Sequence, residues 1–288
     1  MSDNEQSIQW FPGHMAKTRR KIKEILPLID AVAEVVDARI PLSSRNPEIK
    51  ELIEGKPHII LLNKCDMADE KVTAEWIKYF KARGFEAMAV DCRTGKGLNG
   101  YQALVRKVLA DKIEANNARG MVGKALRVMV VGIPNTGKSS FINKMAGRVR
   151  AKVADKPGVT TSNQWFFIGN GIELLDTPGV LWPKFDDPVV GDKLAFIGSV
   201  KDAVLDIETM AVRLIDVLRD GYPDRLAERY KISDFEDLQS WEILELIGRK
   251  RGMLISGGEI NTERAAVMLL DEYRGGKLGR ISMEFPNE

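Results

Sequence analysis

The segment at residues 132–139, GIPNTGKS, has the residue types and spacing that bind phosphate groups. It fits the pattern G-x-x-x-x-G-K-[ST], and it follows an apolar, strand-like run and precedes a helical stretch, as this motif requires. The glycines allow backbone N–H groups to point at a phosphate, and the following helix directs the positive end of its dipole to the same point. We refer to residues 132–139 as the phosphate loop.

Individual side chains of the phosphate loop have distinct expected roles. Lys138 would bridge β- and γ-phosphate oxygens, and the Ser139 hydroxyl would bind Mg²⁺. The alternative is a chance match in a glycine-containing turn, which the flanking strand and helix disfavour. The expected nucleotide contacts in this segment and the residue after it are Asn135, Thr136, Gly137, Lys138, Ser139 and Ser140.

An acidic motif, Asp176-Thr177-Pro178-Gly179, closes a later apolar run. In phosphate-loop enzymes an acid at a strand end contributes to the Mg²⁺ shell, and a following glycine N–H contacts the γ-phosphate. The D-x-x-G pattern alone is weak, since about one match per chain arises by chance. Its position after the phosphate loop favours Asp176 as part of a magnesium site and Gly179 as a nucleotide contact.

The motif Asn63-Lys64-Cys65-Asp66, here called the base motif, follows another apolar run. A carboxylate can accept two hydrogen bonds from guanine, which presents N1–H and an exocyclic amine, whereas adenine offers no such pair. Asp66 would therefore select guanine. Asn63 would brace the loop or reach the base, and the Lys64 stem would lie along the purine face. The alternative is a charged turn after a strand, which the presence of a phosphate loop in the same chain disfavours.

The elements that position these motifs form a predicted α/β domain. Continuous apolar runs separated by helical periodicity are typical of buried parallel strands. The Asn-Gly step at residues 170–171 predicts a hairpin and one antiparallel strand at the sheet edge. The six predicted strands cover residues 31–36, 58–62, 85–90, 126–131, 164–168 and 172–175. The sequence therefore predicts a doubly wound, mostly parallel six-stranded sheet with helices on both faces.

Three parts of the chain differ in pattern. Residues 1–29 form a predicted basic arm and an amphipathic helix, in which Ile22, Ile25 and Ile29 recur at helical spacing. Residues 30–183 carry the strands, with a polar connector at residues 111–124. Residues 184–288 have helical periodicity only, so they predict an all-α C-terminal domain.

Composition and charge exclude several classes of protein. The chain has 288 residues, 44% of them hydrophobic, which excludes disorder as the main state. No apolar run approaches the roughly 18 residues of a membrane span, and two cysteines are too few for a disulfide framework. From residue 186 onward there are 14 Lys and Arg against 21 Asp and Glu, so the basic excess lies in the first part. We expect a cytoplasmic monomer without a membrane partner.

The order of the motifs is unusual, because the base motif precedes the phosphate loop, whereas Ras-like GTPases have it after. The chain resembles a circularly permuted GTPase, and specifically the ribosome biogenesis GTPase A family, over nearly its whole length. The resemblance rests on QWFPGHMAK at residues 9–17, DARIP at residues 37–41, and the run from Arg251 to Arg280.

The resemblance implies further site residues. Asp91-Cys92-Arg93 stands where the family pattern has Ser-Ala-Lys, and a backbone N–H at Cys92 would reach guanine O6. Thr160, with Thr161 as the alternate, would close over Mg²⁺ and the attacking water. Asn135 resembles the residue that marks potassium-activated GTPases. The alternative for Asn135 is a tolerated residue in a left-handed turn conformation.

Hydrolysis needs a group that the acidic motif lacks, because Val180 stands where Ras-like enzymes place a water-orienting glutamine. The resemblance implies His14 as that group, beside Lys138 and Thr160. The alternative is that the segment around His14 is a docking element with a structural or RNA-stacking histidine.

The resemblance also implies the biological role: a GTP hydrolase that binds the immature large ribosomal subunit in the GTP state and is released by subunit-stimulated hydrolysis. Two alternative functions remain: a guanine-nucleotide-dependent RNA-binding module and a GTPase directed at tRNA. Basic side chains neutralise RNA phosphates and aromatic rings stack on bases, although any such charge run can be a solvated face. The candidates for rRNA contact are Lys17, Arg19, Arg20, Lys21 and Lys23 near Trp10 and Phe11, then Lys144, Arg148, Arg150, Lys152 and Lys156, and Arg249, Lys250 and Arg251.

Overall fold

A computed structural model of the chain describes residues 13–147, 164–182, 185 and 187–286. The described residues divide into two compact units. The described residues up to 182, together with residues 284–286, form the sheet unit, and the described residues between 185 and 283 form the helical unit. Among the described residues, no helix has both the length and the apolar character that crossing a membrane requires.

The sheet unit contains one six-stranded sheet in the order β3-β2-β1-β4-β6-β5. Every neighbouring pair is parallel except β5 and β6, which are antiparallel at the edge. The strands are β1 (Ala31–Asp37), β2 (His58–Asn63), β3 (Glu86–Ala89), β4 (Leu126–Val131), β5 (Trp165–Phe167) and β6 (Ile172–Asp176). The predicted fold class, including the antiparallel edge strand, is confirmed. All seven residues of β1 are buried, as expected for a central strand covered on both faces.

Helices cover both faces of the sheet. In the sheet unit they are α1 (Gly13–Ile25), α2 (Pro47–Leu52), α3 (Glu70–Ala82), α4 (Tyr101–Val108), α5 (Ala110–Ala118) and α6 (Lys138–Ala146). The apolar side of α1 packs into the core through Ile22, and Ile29 continues that contact after the helix. Asn46 and Asp69 start α2 and α3, since each side chain accepts hydrogen bonds from backbone N–H groups of the first turn.

The polar stretch at residues 111–124, expected to be a connector, begins inside helix α5. The alanine, lysine and glutamate residues of α5 favour a helix, but Ile113 is the only large apolar residue of α5 and packs partly against the core. Because one apolar residue gives no periodicity, the sequence pattern could not reveal this helix.

The helical unit contains α7 (Pro188–Phe196), α8 (Ile207–Gly221), α9 (Pro223–Tyr230), α10 (Ser240–Lys250) and α11 (Thr262–Arg274). Its core lies between α8, α10 and α11, where Leu214, Ile247 and Leu269 are fully buried. Asn261 caps the start of α11, and the helix ends at Gly275.

The last described residues return to the sheet unit, where Glu284 is buried. Its carboxylate accepts hydrogen bonds from the Leu42 N–H (2.7 Å), the Ser43 N–H (3.1 Å) and the Ser43 hydroxyl. The Trp76 indole N–H donates to the Glu284 carbonyl oxygen at 3.0 Å. Residues separated by more than 240 positions are thus joined, and the chain enters and leaves the helical unit from the sheet unit.

Candidate nucleotide-binding site

A cavity of about 340 Å³ opens at the carboxyl end of the sheet, between the base motif and the phosphate loop. Ligands of open α/β sheets bind at this edge. The cavity is lined by Asn63, Lys64, Asp66, Met67, Asp91, Cys92, Arg93, Asn135, Gly137, Lys138, Ser139 and Ser140. The two groups of residues that the sequence analysis expected to meet are therefore adjacent, although more than 60 positions separate them in the chain.

The phosphate loop follows β4 and leads directly into α6, and its curvature depends on two glycines. Gly132 has φ +150°, and a Cβ there would lie 2.5 Å from the Val35 carbonyl oxygen of β1. Gly137 has φ +98°, and a Cβ there would collide with the Asn63 amide. Only glycine fits both the backbone conformation and the space. Thr136 is buried and ties the loop together, since its hydroxyl donates to the Ile133 carbonyl at 3.0 Å.

Asn63 joins the two halves of the site. It is only 3% exposed. Its side-chain N–H donates to the Thr136 carbonyl in the phosphate loop at 2.6 Å. Its side-chain oxygen accepts a hydrogen bond from the Cys92 N–H at 3.0 Å. Asn63 thus braces the phosphate loop against the loop after β3, which is one of the two roles that the sequence left open for it.

Lys138 is a buried cation at the floor of the cavity, 7% exposed. Its ammonium donates to the Ile133 carbonyl at 2.8 Å. Burial lowers the pKa of Lys138 to about 8, an effect that the Asp176 carboxylate opposes. The ammonium is therefore the main form at neutral pH, and it lies in surroundings that screen it poorly, where an anionic ligand gains most from it.

Asp176 closes β6 near Lys138. Burial raises the pKa of Asp176, and the Lys138 charge opposes that rise. Its Oδ1 atom is buried and has no hydrogen-bond partner among the described residues. A buried carboxylate oxygen without a hydrogen-bond partner lowers the stability of the fold, and a bound ligand that contacts it offsets this cost. The Asp176 carboxylate and the Ser139 hydroxyl are oxygen groups of the kind that Mg²⁺ prefers.

The segment after Asp176 lies directly on the phosphate loop. A Cβ at Gly179 would be 2.6 Å from the Lys138 Nζ atom and 3.0 Å from the Pro134 nitrogen. A side chain at residue 179 would therefore displace the Lys138 ammonium and crowd the backbone of the phosphate loop. The Thr177 hydroxyl anchors the segment by donating to the Val130 carbonyl of β4 at 2.6 Å.

Asp66 lies on the base-motif side of the cavity. Its Oδ2 atom is 3.4 Å from a guanidinium nitrogen of Arg93, a long contact on an exposed side chain. Its Oδ1 atom is buried and has no hydrogen-bond partner among the described residues. The carboxylate is thus available to accept hydrogen bonds from a base in the cavity.

Comparison with known proteins agrees with this geometry. A GDP-bound YlqF structure matches with a TM-score of 0.68 and 30% identity over 93% of this chain and all of that chain. A GNP-bound YlqF structure from Thermotoga maritima matches with a TM-score of 0.65 and 32% identity, covering 94% of this chain and 99% of that chain. A family model described as a 50S ribosome-binding GTPase matches residues 127–247.

Full-length relatives decide the family. Ribosome biogenesis GTPase A of Bacillus cereus is 47% identical over 98% of this chain and 95% of the relative. The protein of the same name from Thermotoga maritima is 34% identical over 98% of this chain and 95% of the relative. The chain belongs to the ribosome biogenesis GTPase A family. It is therefore a GTP-hydrolysing enzyme, and the predicted circularly permuted fold is confirmed.

Lys64 of the GTPase is held by the DARIP segment. Lys64 has φ +59°, and its ammonium lies 3.0 Å from Asp37 Oδ2. Arg39 holds the same carboxylate through two hydrogen bonds of 2.9 Å. Burial opposes ionisation of Asp37, but the Arg39 and Lys64 charges keep its pKa well below the usual range. The sequence analysis used the DARIP segment only as a mark of resemblance and missed this contact.

The loop after β3 differs in one respect from what was expected. The Cys92 N–H, which was assigned to guanine O6, donates to Asn63. The next two N–H groups, of Arg93 and Thr94, donate to the Asp91 carboxylate at 2.9 and 3.2 Å. Burial raises the pKa of the Cys92 thiol to about 12, with Asp91 and Cys65 adding to the rise. The Asp91 carboxylate thus fixes the backbone of the loop after β3.

The remaining residues that the sequence analysis named lie at the cavity, elsewhere on the surface, or outside the described part of the chain. Asn135 lines the cavity and has φ +61°, the left-handed conformation that was its alternative interpretation. The Lys144 ammonium donates to the Arg93 carbonyl at 3.3 Å. Arg251 lies 3.8 Å from the Glu272 carboxylate and over the Tyr230 ring, whereas its neighbours Arg249 and Lys250 are exposed. The expected residues outside the described part are Trp10, Phe11, Arg148, Arg150, Lys152, Lys156, Thr160 and Thr161, together with the side chains of His14 and Lys17.

Proposed function

We propose that this GTPase is an assembly factor for the large ribosomal subunit, which it binds in the GTP state and leaves after hydrolysis. The relatives' name, ribosome biogenesis GTPase A, supports this role. The single observation that carries the nucleotide part is the cavity that Asp66 and Lys138 share. It combines an acceptor for guanine with a buried cation for the phosphates.

In this proposal the GTPase binds guanine nucleotide through both motifs. Asp66 accepts hydrogen bonds from guanine, and the Lys64 stem, held by Asp37, covers one face of the purine. Lys138 contacts the β- and γ-phosphates, and the backbone of Asn135, Thr136, Gly137, Ser139 and Ser140 surrounds them. Cys92 and Arg93 border the base, and Gly179 approaches the γ-phosphate.

The cation sites are part of the proposal. Ser139, Asp176 and Thr160 would hold Mg²⁺, and the unpartnered Oδ1 atom of Asp176 supports this assignment. When bound, such an ion would neutralise negative charge on the β- and γ-phosphates. Asn135 would hold K⁺, for which its place at the cavity is the supporting observation.

The proposed catalytic groups are His14, Lys138 and Thr160. Val180 has no polar side-chain atom and cannot orient the attacking water. His14 belongs to the first turn of α1 and precedes Thr18 by four residues, one helical turn. Thr18 lines a small crevice together with Val180, so α1 runs beside the segment that follows Gly179. A histidine there can polarise water near neutral pH.

The proposed contacts with rRNA are local basic clusters. The α1 side chains Arg19, Arg20 and Lys23 are exposed, as are Arg249 and Lys250 in the helical unit. The acidic balance after residue 185 disfavours a uniformly basic face there, so we place RNA binding of residues 184–288 at such clusters. Residues 1–29 would be the basic arm and residues 30–183 the GTPase domain of a cytoplasmic monomer.

The decisive experiment is GTP hydrolysis measured with and without large ribosomal subunits, in potassium and in sodium. We expect slow multiple-turnover phosphate release that subunits accelerate and that potassium increases. Binding to tRNA but not to large subunits in co-sedimentation would favour the tRNA-directed GTPase. Nucleotide-dependent RNA binding without phosphate release would favour the binding module.

The role of His14 has its own test. His14→Ala should lower subunit-stimulated hydrolysis and leave GDP affinity unchanged, since only the attacking water loses a contact. His58→Ala would be an unsuitable control because His58 lies 3.1 Å from the buried Glu34 carboxylate. The exposed Arg83→Ala is the better control, and an unchanged rate for His14→Ala would assign the histidine to docking.

A further inference from the structure

The residue that follows Gly179 is held by a buried amide from another element. Asn46, 3% exposed, donates through its Nδ2 atom to the Val180 carbonyl at 2.9 Å. Its Oδ1 atom accepts hydrogen bonds from the Glu48 N–H (3.0 Å) and the Ile49 N–H (3.3 Å) at the start of α2. Both ends of the amide are therefore engaged, and a flipped amide would lose every one of these hydrogen bonds.

The loop that carries Asn46 is itself fixed. The Asp37 N–H donates to the Ser44 hydroxyl at 3.0 Å, and that hydroxyl donates to the Ile40 carbonyl at 2.7 Å. The Arg45 guanidinium pairs with the buried Glu34 carboxylate at 2.7 Å. Asn46 thus projects from a loop that hydrogen bonds and an ion pair fix to β1 on its N-terminal side.

Helix α1 shares this support. Val180 and Asn46 line a small crevice with residues of α1, among them Thr18 and Ile22. The Arg19 guanidinium lies 3.6 Å from the Glu48 carboxylate in the first turn of α2. The α1 helix and the segment after Gly179 therefore both contact the first residues of α2 and its cap, Asn46.

We propose that Asn46 is a positioning residue for GTP hydrolysis, which holds the segment after Gly179 against the phosphate loop and in register with α1. This inference rests on the proposed function. Gly179 can contact the γ-phosphate only while its backbone stays close to Lys138 and Pro134. The Asn46 hydrogen bond stabilises that arrangement at Val180, where the side chain itself contributes no polar contact.

Two substitutions separate the two roles of the amide. Asn46→Asp keeps an acceptor for the first turn of α2, because Asp is as good a helix N-cap as Asn. It removes the donor to Val180 and places a carboxylate oxygen against the carbonyl. Asn46→Ala removes both roles. Asn261→Asp, which makes the same change at the N-cap of α11, is the matched control.

The readouts are the hydrolysis rate at saturating GTP, the affinity for GDP, and hydrogen exchange of the two backbone segments. For Asn46→Asp we expect the rate to fall about tenfold, which corresponds to about 1.4 kcal/mol. GDP affinity should stay within about twofold. Exchange should quicken at residues 179–182 and not at residues 48–52, whereas Asn46→Ala should quicken both. Asn261→Asp should match the wild type.

The outcomes separate this inference from the function on which it rests. A wild-type protein that does not hydrolyse GTP would overturn the proposed function. An active wild type with an Asn46→Asp variant of equal rate would overturn only the positioning role. A variant that loses GDP affinity in parallel with its rate would also overturn it, since Asn46 would then support the site as a whole.

Discussion

Replacing Asn63 by alanine tests whether the two halves of the site depend on each other. The substitution removes the donor to the Thr136 carbonyl and the acceptor for the Cys92 N–H. Both partners lie in buried surroundings at the floor of the cavity, so water replaces the lost amide poorly. The phosphate loop would then lose this direct link to the loop after β3.

The size of the effect follows from these two hydrogen bonds. Each buried group left without a partner costs about 1–3 kcal/mol, so Asn63→Ala should cost about 2–6 kcal/mol in total. Part of this cost lowers the free energy of unfolding, and the rest lowers GDP affinity, because nucleotide binding must restore the loop geometry. We expect a loss of about 2 kcal/mol or more in stability and at least a tenfold weaker GDP affinity.

Urea denaturation and calorimetric GDP titration measure the two quantities. Asn143→Ala is the matched control, because this exposed asparagine lies on α6, which starts in the phosphate loop. Its stability and affinity should stay within about 0.5 kcal/mol of the wild type. An Asn63→Ala variant equally close to the wild type in both measurements would refute the bracing role of this amide.

Three further outcomes are expected. Asp66→Asn should weaken GTP binding and improve binding of xanthosine triphosphate in competition titrations, and unchanged selectivity would exclude Asp66 as the base contact. The pKa of Lys138, about 8 in the folded protein, lies below the 10.5 of an exposed lysine, so the unfolded chain holds this proton more tightly. The stability of the wild type relative to Lys138→Met, measured by urea titration, should therefore rise with pH between about 8 and 10.5, and a falling difference would contradict the burial argument. Cys92, 2% exposed and with its pKa raised to about 12, should resist alkylation in the native protein. Cys65 should react and be protected by GDP, and mass spectrometry that finds equal labelling of both would contradict this placement.

The sequence predicted the sheet well for a physical reason. Strands buried on both faces leave continuous apolar runs, and each of the six runs contains or overlaps an observed strand. The phosphate loop and base motif were also found, because each is a short pattern that follows a strand. The circular order of the motifs followed directly from their positions in the chain.

The contacts between distant segments could not be predicted in the same way. Asn46 and Val180 are 134 positions apart, and Ser43 and Glu284 are 241 apart. No periodicity or local spacing links such pairs, since only the folded backbone brings them together. Asn63 lies between these two cases. The sequence identified its motif, but only the folded structure, which places the Thr136 carbonyl beside the Asn63 amide, shows that Asn63 braces the loop.

The return of Glu284 to the sheet unit has a consequence for biosynthesis. Ribosomes add about 5–20 residues per second, so Glu284 is made about 12–50 s after Ser43, which it follows by 241 residues. During that interval the Leu42 and Ser43 amides lack their carboxylate partner, and the whole helical unit is translated. The sheet unit, which holds the nucleotide cavity, can therefore form its contacts with Glu284 only after the helical unit has been translated.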